Sequence, residues 1–210
     1  MRYTGPKARR VRRQGFNVYG ADKYDRILAK KSLPPGMQAA AKGTKGGKGK
    51  LSEYGKQLLE KQKACYMYGI NDKQLRAVYT KATRTVGQSD ATMRTLLERR
   101  LDNVVYRGGL AKTRLQSRQF ASHGMFTING IRVTIPSYQV KPGDVLKVRE
   151  NRKSSPVFPG IVAAHEKYVA PAWMTVDPTQ LSITIKELPT LDEHFDKAVD
   201  MRKVIGFYSR

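Results

Sequence analysis

Clusters of arginine and lysine are the residues of this chain whose type and spacing most clearly indicate chemistry. Four arginines lie between positions 9 and 13, and a second basic group lies between positions 99 and 118. Guanidinium and ammonium groups at this density neutralise phosphates and release the counterions that surround them. The spacing therefore predicts two stretches that contact the phosphate backbone of a nucleic acid.

The charge of the whole chain supports the same interpretation. Its 210 residues include 40 Lys and Arg against 17 Asp and Glu, a formal net charge of +23. There are 14 basic and 2 acidic side chains in residues 1–50, 8 and 5 in 51–98, 12 and 3 in 99–160, and 6 and 7 in 161–210. A solvated surface mixes its signs, so this segregation favours a face that binds a polyanion. A membrane is the weaker candidate, because no stretch approaches the ~20 apolar residues of a span.

Residues that catalyse reactions or bind metals are sparse and scattered. His123, His165 and His194 lie far apart, and Cys65 is the single cysteine, which excludes an internal disulfide. An acidic cluster at residues 192–200 is interleaved with basic residues, as is typical of a solvated helix face. The N-terminus lacks the apolar stretch of a secretory signal. We therefore expect a soluble intracellular protein that is not an enzyme and uses no cofactor or metal.

Glycine and proline separate a basic arm from a helical body. In residues 1–50, Gly5-Pro6, Pro34-Pro35-Gly36 and a Gly/Lys-rich run interrupt any periodic pattern. We expect mostly irregular structure there, an extended arm that orders along phosphates. Residues 51–98 carry apolar side chains at helical spacing, and Asn71 with Gln74 resembles a capping box. This stretch is predicted to form a helical body.

Residues 99–160 show the pattern of a compact module. We expect two short helices, the first with Arg99 and Arg100 outward and the second, capped by Thr113, with Leu115, Phe120 and Ala121 on its apolar face. A β-hairpin and a further strand should follow them. Asn129-Gly130 is the strongest two-residue hairpin signal, and residues 145–149 alternate like a strand.

Residues 161–210 carry no basic excess and are expected to return to the helical body. A helix over 161–168, a strand over 181–185 and a packed Trp173 are predicted between several prolines. The fold class is α+β: a helical body with an inserted small module, in which two short helices pack on a small antiparallel sheet, and an extended N-terminal arm.

Several motifs resemble those of one known family. They include Arg99 with Leu101-Asp102-Asn103-Val104-Val105-Tyr106-Arg107, then Arg118-Gln119, His123-Gly124, Asn129-Gly130, Pro136-Ser137-Tyr138, Pro142-Gly143-Asp144 and the terminal Phe207-Tyr208-Ser209-Arg210. In this order they closely resemble the bacterial-type small-subunit ribosomal protein S-four family. The resemblance covers nearly the whole chain, apart from a weaker match over 153–190.

The resemblance implies a ribosomal function and a set of partners. It implies a primary binder of 16S-type rRNA that nucleates assembly of the body of the small subunit and supports translational accuracy. It also implies contact with ribosomal protein S-five and other small-subunit proteins, a position near the mRNA entry, and a cytoplasmic ribosome, with an organelle ribosome left open. Many members bind zinc through cysteines in the N-terminal stretch, but the first forty residues here contain none. We therefore expect no structural zinc.

The basic clusters and the resemblance together select candidate RNA contacts. They are Arg2, Lys7, Arg9, Arg10, Arg12, Arg13, Lys45, Lys48, Lys50, Lys61, Lys63, Arg99, Arg100, Arg107, Lys112, Thr113, Arg114, Arg118, Gln119, His123, Asn129, Arg132 and Arg210.

Two alternatives use the same basic surface. An RNA-modifying enzyme such as a pseudouridine synthase carries a module of this kind, but needs a separate catalytic domain with a nucleophilic aspartate. A DNA-binding regulator would prefer a dimer and a clear recognition helix. Binding to folded rRNA and to duplex DNA at matched salt distinguishes them.

Overall fold

The computed structural model of the chain describes residues 3, 5–36, 52–165, 168–189 and 198–210. The chain divides into two compact units. Unit 1 comprises Met1–Lys81 with Lys197–Arg210, and unit 2 comprises Ala82–Asp196. The four-segment division expected from composition places its boundaries elsewhere, at 50, 98 and 160, and stays a prediction.

Unit 1 is helical over its described residues. Its helices are α1 (Ala8–Gln14), α2 (Asp22–Lys30), α3 (Glu53–Met67), α4 (Asp72–Arg84, which runs past the unit boundary) and α10 (Met201–Tyr208). The predicted capping box is confirmed, because the Gln74 N–H donates to Asn71 Oδ1 at 2.8 Å and the Asn71 N–H donates to Gln74 Oε1 at 3.2 Å.

The expectation of mostly irregular structure in residues 1–50 is wrong for α1 and α2. Ala, Arg and Gln are good helix formers, and α1 ends where Gly15 adopts the left-handed conformation at φ 79°. Val11 is fully buried and the Arg10 guanidinium stacks on Tyr66 of α3, so this basic helix is packed against the rest of unit 1. A glycine thus ends α1, whereas α2 ends at Lys30, four residues before Pro34.

The last helix, α10, packs on α3, so of the segment expected to return to the helical body, residues 197–210 lie in unit 1. The Asp200 carboxylate caps α10 by accepting from the Arg202 and Lys203 N–H groups, and the Asp200 N–H donates to Glu60 of α3. The Tyr54 and Phe207 rings lie 5.7 Å apart.

Unit 2 combines short helices with one sheet. Its helices are α5 (Ser89–Glu98), α6 (Leu101–Arg107), α7 (Arg114–Ser122), α8 (Glu150–Lys153) and α9 (Val157–His165), and its strands are β1 (Phe126–Ile128), β2 (Ile131–Val133), β3 (Val145–Val148), β4 (Met174–Asp177) and β5 (Ser182–Ile185). Within the described residues the sheet is antiparallel with strand order β2-β1-β3-β5-β4. The α+β class is confirmed.

The predicted hairpin is confirmed at the turn that joins β1 to β2. Asn129 and Gly130 have φ angles of 50° and 83°, the left-handed pair that such a turn requires. The Asn129 amide also bridges to the next strand: it donates to Asp144 at 3.0 Å and accepts from the Val145 N–H at 2.9 Å. The Asn129 side chain thus adds to the backbone pairing of β1 with β3, which sets the position of β3 relative to the hairpin.

The sheet continues into the segment that was expected to return to the helical body. The strand predicted near 181–185 is β5, which pairs with β3, and β4 was not predicted. Helix α9 starts before the expected position and contains Pro159 in its first turn, where a missing N–H is tolerated. Trp173 is fully buried in the core between helices and sheet, as predicted.

Nowhere in the described ranges is there a helix both long and apolar enough to span a membrane.

Candidate nucleic-acid interface

Helix α7 is positioned by its cap and by its buried face. The Gln116 N–H donates to Thr113 Oγ1 at 3.2 Å, so the predicted N-cap is confirmed. Ser117, Phe120 and Ala121 are buried against the rest of unit 2. Its outer side, with exposed Lys112 before the helix, exposed Gln119 within it and exposed His123 at its end, faces solvent.

The expected apolar face of α7 is wrong at Leu115. Leu115 precedes Phe120 by five residues, and at about 3.6 residues per turn this spacing puts the two on different sides of the helix. Leu115 is accordingly only half-buried, whereas Ser117 takes the inward position. The Ser117 hydroxyl donates to the backbone carbonyl of Asp102, so a hydrogen bond replaces the expected apolar contact.

A second basic element lies on the outer face of the hairpin. In the register of the sheet, Thr127 of β1 stands between Arg132 of β2 and Lys147 of β3. Directly opposed residues have Cβ atoms about 4.5–5.5 Å apart, so the two cations flank the threonine. Arg132 and Lys147 are both exposed, while Phe126 and Ile128 point into the core.

The turn after α7 brings two guanidinium groups together. Gly124 has φ +64°, and Arg132 Nε lies 2.5 Å from the position that a Cβ there would occupy. Arg149 Nη1 also donates to the Gly124 carbonyl at 3.4 Å. Both guanidinium groups therefore lie beside the turn that ends α7, where the helix dipole stabilises cations.

Together these residues form what we call the α7–hairpin surface. It comprises Lys112, Gln119, His123, Arg132, Lys147 and Arg149. Lys147 and Arg149 were missed as site residues, although the alternation of Val145–Arg149 already indicates which side of β3 faces solvent.

Several other selected arginines are held by the protein itself. Arg107 donates twice to the buried Glu98 at 3.0 and 3.1 Å, and Arg99 Nε donates to the Val140 carbonyl at 3.0 Å. Arg100 was expected to lie outward, and this is wrong: it is 5% exposed and donates to Asp102 through two nitrogens at 3.1 and 2.8 Å. A buried guanidinium needs a carboxylate partner, so Arg100 serves the interior.

Helix α1 of unit 1 presents two exposed arginines, Arg9 and Arg13. Arg10 is instead stacked, with its guanidinium carbon 3.3 Å from the Tyr3 ring centre and 4.4 Å from that of Tyr66. Its neighbour Arg12 donates to the backbone carbonyls of Leu33 and Pro34.

The other selected cations among the described residues of unit 1 are also near aromatic rings or carboxylates. Lys61 pairs with Asp72 at 2.9 Å, and Lys63 pairs with Glu60. Lys7 lies 5.8 Å from the centre of the Tyr19 ring, and exposed Arg210 lies 5.9 Å from that of Tyr54. Four further selected residues lie outside the described residues: Arg2, Lys45, Lys48 and Lys50.

The described residues contain neither a cluster of metal ligands nor an activated thiol. No group of three or more His, Cys, Asp and Glu among them is arranged to hold a metal ion. Burial raises the pKa of the Cys65 thiol to about 11, the opposite of an activated nucleophile. Asn129, selected as an RNA contact, has its side-chain amide bonded to Asp144 and β3 as described above.

Comparison with known proteins accounts for the whole chain. The family model "Ribosomal protein S4/S9 N-terminal domain" matches residues 2–98, and the "S4 domain" model matches residues 99–146. The small ribosomal subunit protein uS4 of Roseiflexus castenholzii is 40% identical over 211 residues, which cover 100% of this chain and 99% of the relative. That of Cutibacterium acnes is 44% identical over 212 residues, with the same coverage of 100% and 99%. The chain belongs to the uS4 family.

A third relative is consistent with this assignment: the uS4 protein of Parabacteroides distasonis is 45% identical over 190 residues, 90% of this chain and 89% of its own length. The resemblance inferred from the motifs is therefore confirmed. In this uS4 family member the S4-domain match contains α6, α7 and the β1–β2 hairpin, and so most of the α7–hairpin surface. Strands β4 and β5, which complete the sheet, lie beyond it.

Proposed function

We propose that this uS4 family member is a structural component of the small ribosomal subunit that binds 16S-type rRNA through the α7–hairpin surface. The observation that carries the proposal is that exposed Arg132 of β2 and half-buried Arg149, which follows β3, both lie against the Gly124 turn at the end of α7. A-form RNA presents its phosphates and 2′-hydroxyls more readily than its base edges, so a fixed array of cations recognises its shape. Exposed Arg9 and Arg13 would add phosphate contacts from α1.

The resemblance to the family motivates finer proposals as well. We infer that the protein nucleates assembly of the body of the subunit, contacts ribosomal protein S-five and supports translational accuracy near the mRNA entry, in a cytoplasmic ribosome. It acts without a cofactor and is not an enzyme. The selected residues outside the described part of the chain would contribute further phosphate contacts.

Affinity and its salt dependence test the proposal directly. Removing Lys112 and Arg132 together, by Lys112→Ala and Arg132→Ala, should weaken binding to a folded 16S-type rRNA fragment. The slope of log K against log salt should flatten by ~0.7–0.9 for each phosphate that is no longer neutralised. Lys186→Ala is the matched control, since Lys186 is exposed in the same unit but outside the α7–hairpin surface.

Each alternative function predicts its own outcome. Equal affinity for duplex DNA and folded rRNA at matched salt would favour a general DNA-binding protein. Modified uridines in rRNA after incubation would favour an enzyme. An unchanged slope in the Lys112 and Arg132 variant, with unit 2 folded, would show that the RNA binds elsewhere.

A further inference from the structure

Two buried carboxylates lie directly behind the arginines of α7. Asp102 and Glu98 are both buried, and neither is on the α7–hairpin surface. Asp102 accepts from Arg100 through both oxygens, and its Oδ2 also accepts from Arg118 Nη1 at 3.0 Å. One carboxylate therefore links an interior arginine to an arginine of α7.

Of the three side chains Arg100, Asp102 and Arg118, Arg118 is the one that reaches solvent. Its side chain is 23% exposed, whereas the Asp102 and Arg100 side chains are 5% and 6% exposed. A guanidinium has several N–H donors in a rigid plane, so fixing one nitrogen on a carboxylate also fixes the direction of the others. Asp102 thus determines where Arg118 presents its charge, immediately beside Gln119 of the α7–hairpin surface.

Glu98 holds Arg114 indirectly, through the side chain of Asn103. Its carboxylate accepts from Asn103 Nδ2, and Asn103 Oδ1 accepts from Arg114 Nε at 2.9 Å. The Arg114 guanidinium carbon also lies 4.5 Å from the centre of the Tyr106 ring. Arg114 and Arg118 are one helical turn apart, so the two branches hold neighbouring arginines of one helix.

We propose that Asp102 and Glu98 are positioning residues for RNA binding, which hold Arg118 and Arg114 in the conformations that contact phosphates. The inference rests on the proposed function. An arginine loses rotamer entropy when it binds, and anchoring it beforehand removes part of that loss. The acids would therefore strengthen the binding of a polyanion although each carries a negative charge.

The direction in which rRNA affinity changes when an acid is neutralised tests the proposal. Asp102→Asn raises the net charge by one, and simple electrostatics predicts tighter rRNA binding. The positioning role predicts the opposite, an affinity loss of about 3- to 10-fold, the range for one side chain that must be ordered on binding. The salt slope should stay unchanged because the same phosphates are contacted. Glu150→Gln is the matched control: it removes an exposed acid of unit 2 and should not weaken binding.

A double-mutant cycle separates positioning from loss of structure. Arg118→Ala should lower the salt slope by ~0.7–0.9, and Asp102→Asn added to it should cause no further affinity loss. The proposal would be overturned if Asp102→Asn lowered rRNA affinity equally in the wild-type protein and in the Arg118→Ala variant. Tighter rRNA binding by the Asp102→Asn single variant would also overturn it. Urea unfolding followed by Trp173 fluorescence confirms that unit 2 is folded in each variant.

The cycle of Glu98→Gln with Arg114→Ala gives the same readout if Asp102→Asn does not fold. Failure of both acid variants to fold would also overturn the proposal, since the acids would then act on stability alone. Absence of rRNA binding by the unmodified protein would instead contradict the proposed function, so the two failures are distinguishable.

Discussion

Gly108 is a position where one added methyl group should destabilise unit 2. It follows α6 as its C-cap and has φ −83°, a conformation open to alanine. A Cβ at this position would overlap Ile183 Cδ1, lie 2.9 Å from Ile183 Cγ1 and lie 3.3 Å from the Val104 carbonyl. Ile183 belongs to β5 and is fully buried, and in a closely packed core a shift of its side chain is costly.

The expected loss follows from two opposing effects. Gly→Ala at an allowed φ stabilises by about 0.4–1 kcal/mol through the unfolded chain. Overpacking a rigid core destabilises by about 1–3 kcal/mol. Gly108→Ala should therefore lower the free energy of unfolding of unit 2 by about 1–2 kcal/mol. Trp173 is the only tryptophan and lies in the same core, so its fluorescence during urea unfolding measures this change.

Two further variants identify the cause. Ile183→Val removes Cδ1, the atom that the new methyl would overlap, and alone should destabilise by about 0.5–1.5 kcal/mol. The double variant should be more stable than the sum of the two single effects by about 1 kcal/mol. Gly160→Ala is the control: nothing lies within 4 Å of its Cβ position in α9, and it should stabilise by about 0.5–1 kcal/mol. If Gly108→Ala has the same free energy of unfolding as the wild type, the packing of β5 against the end of α6 is refuted.

Three other measurements test unit 1. Because burial raises the pKa of the Cys65 thiol from 9.0 to about 11, alkylation at pH 8 should be about 100-fold slower than for an unperturbed thiol, and equal rates would show that the α3 face is open. The hydrogen bond from Lys61 holds the pKa of Asp72 below its usual value. This stabilises the folded state at neutral pH, and the stabilisation is lost as pH falls from about 4 through the folded pKa. Asp72→Asn should therefore be less stable than the parent at pH 7 and match it in strong acid by circular dichroism; a constant difference would contradict this linkage. Amides of α1 that bond within the helix should exchange more slowly in the free protein than those of an unstructured peptide, whereas exchange at the peptide rate would restore the interpretation of a disordered arm.

Local signals in the sequence determined the turns, caps and class of this protein. Asn129-Gly130 specifies a hairpin because few residue pairs adopt two successive left-handed conformations. Thr113 caps α7 because its hydroxyl accepts from the Gln116 N–H, which has no partner within the helix. Charge segregation predicted a polyanion-binding surface, and the ordered motifs identified the family. Each of these depends on residues close together along the chain.

Tertiary contacts decided which charges face solvent. Arg100 and Arg118 are both arginines in a basic stretch, and both pair with Asp102. Arg100 is buried whereas Arg118 reaches the surface, because Asp102 of α6 meets α7 only in the folded unit. The convergence of Arg132 and Arg149 on Gly124 likewise needs β2 and β3 to pair with β1. The placement of β5 beside β3 joins segments some forty residues apart, which no local pattern specifies. Burial and partner choice are properties of the packed core, so sequence alone predicted the chemistry of this surface but not which side chains form it.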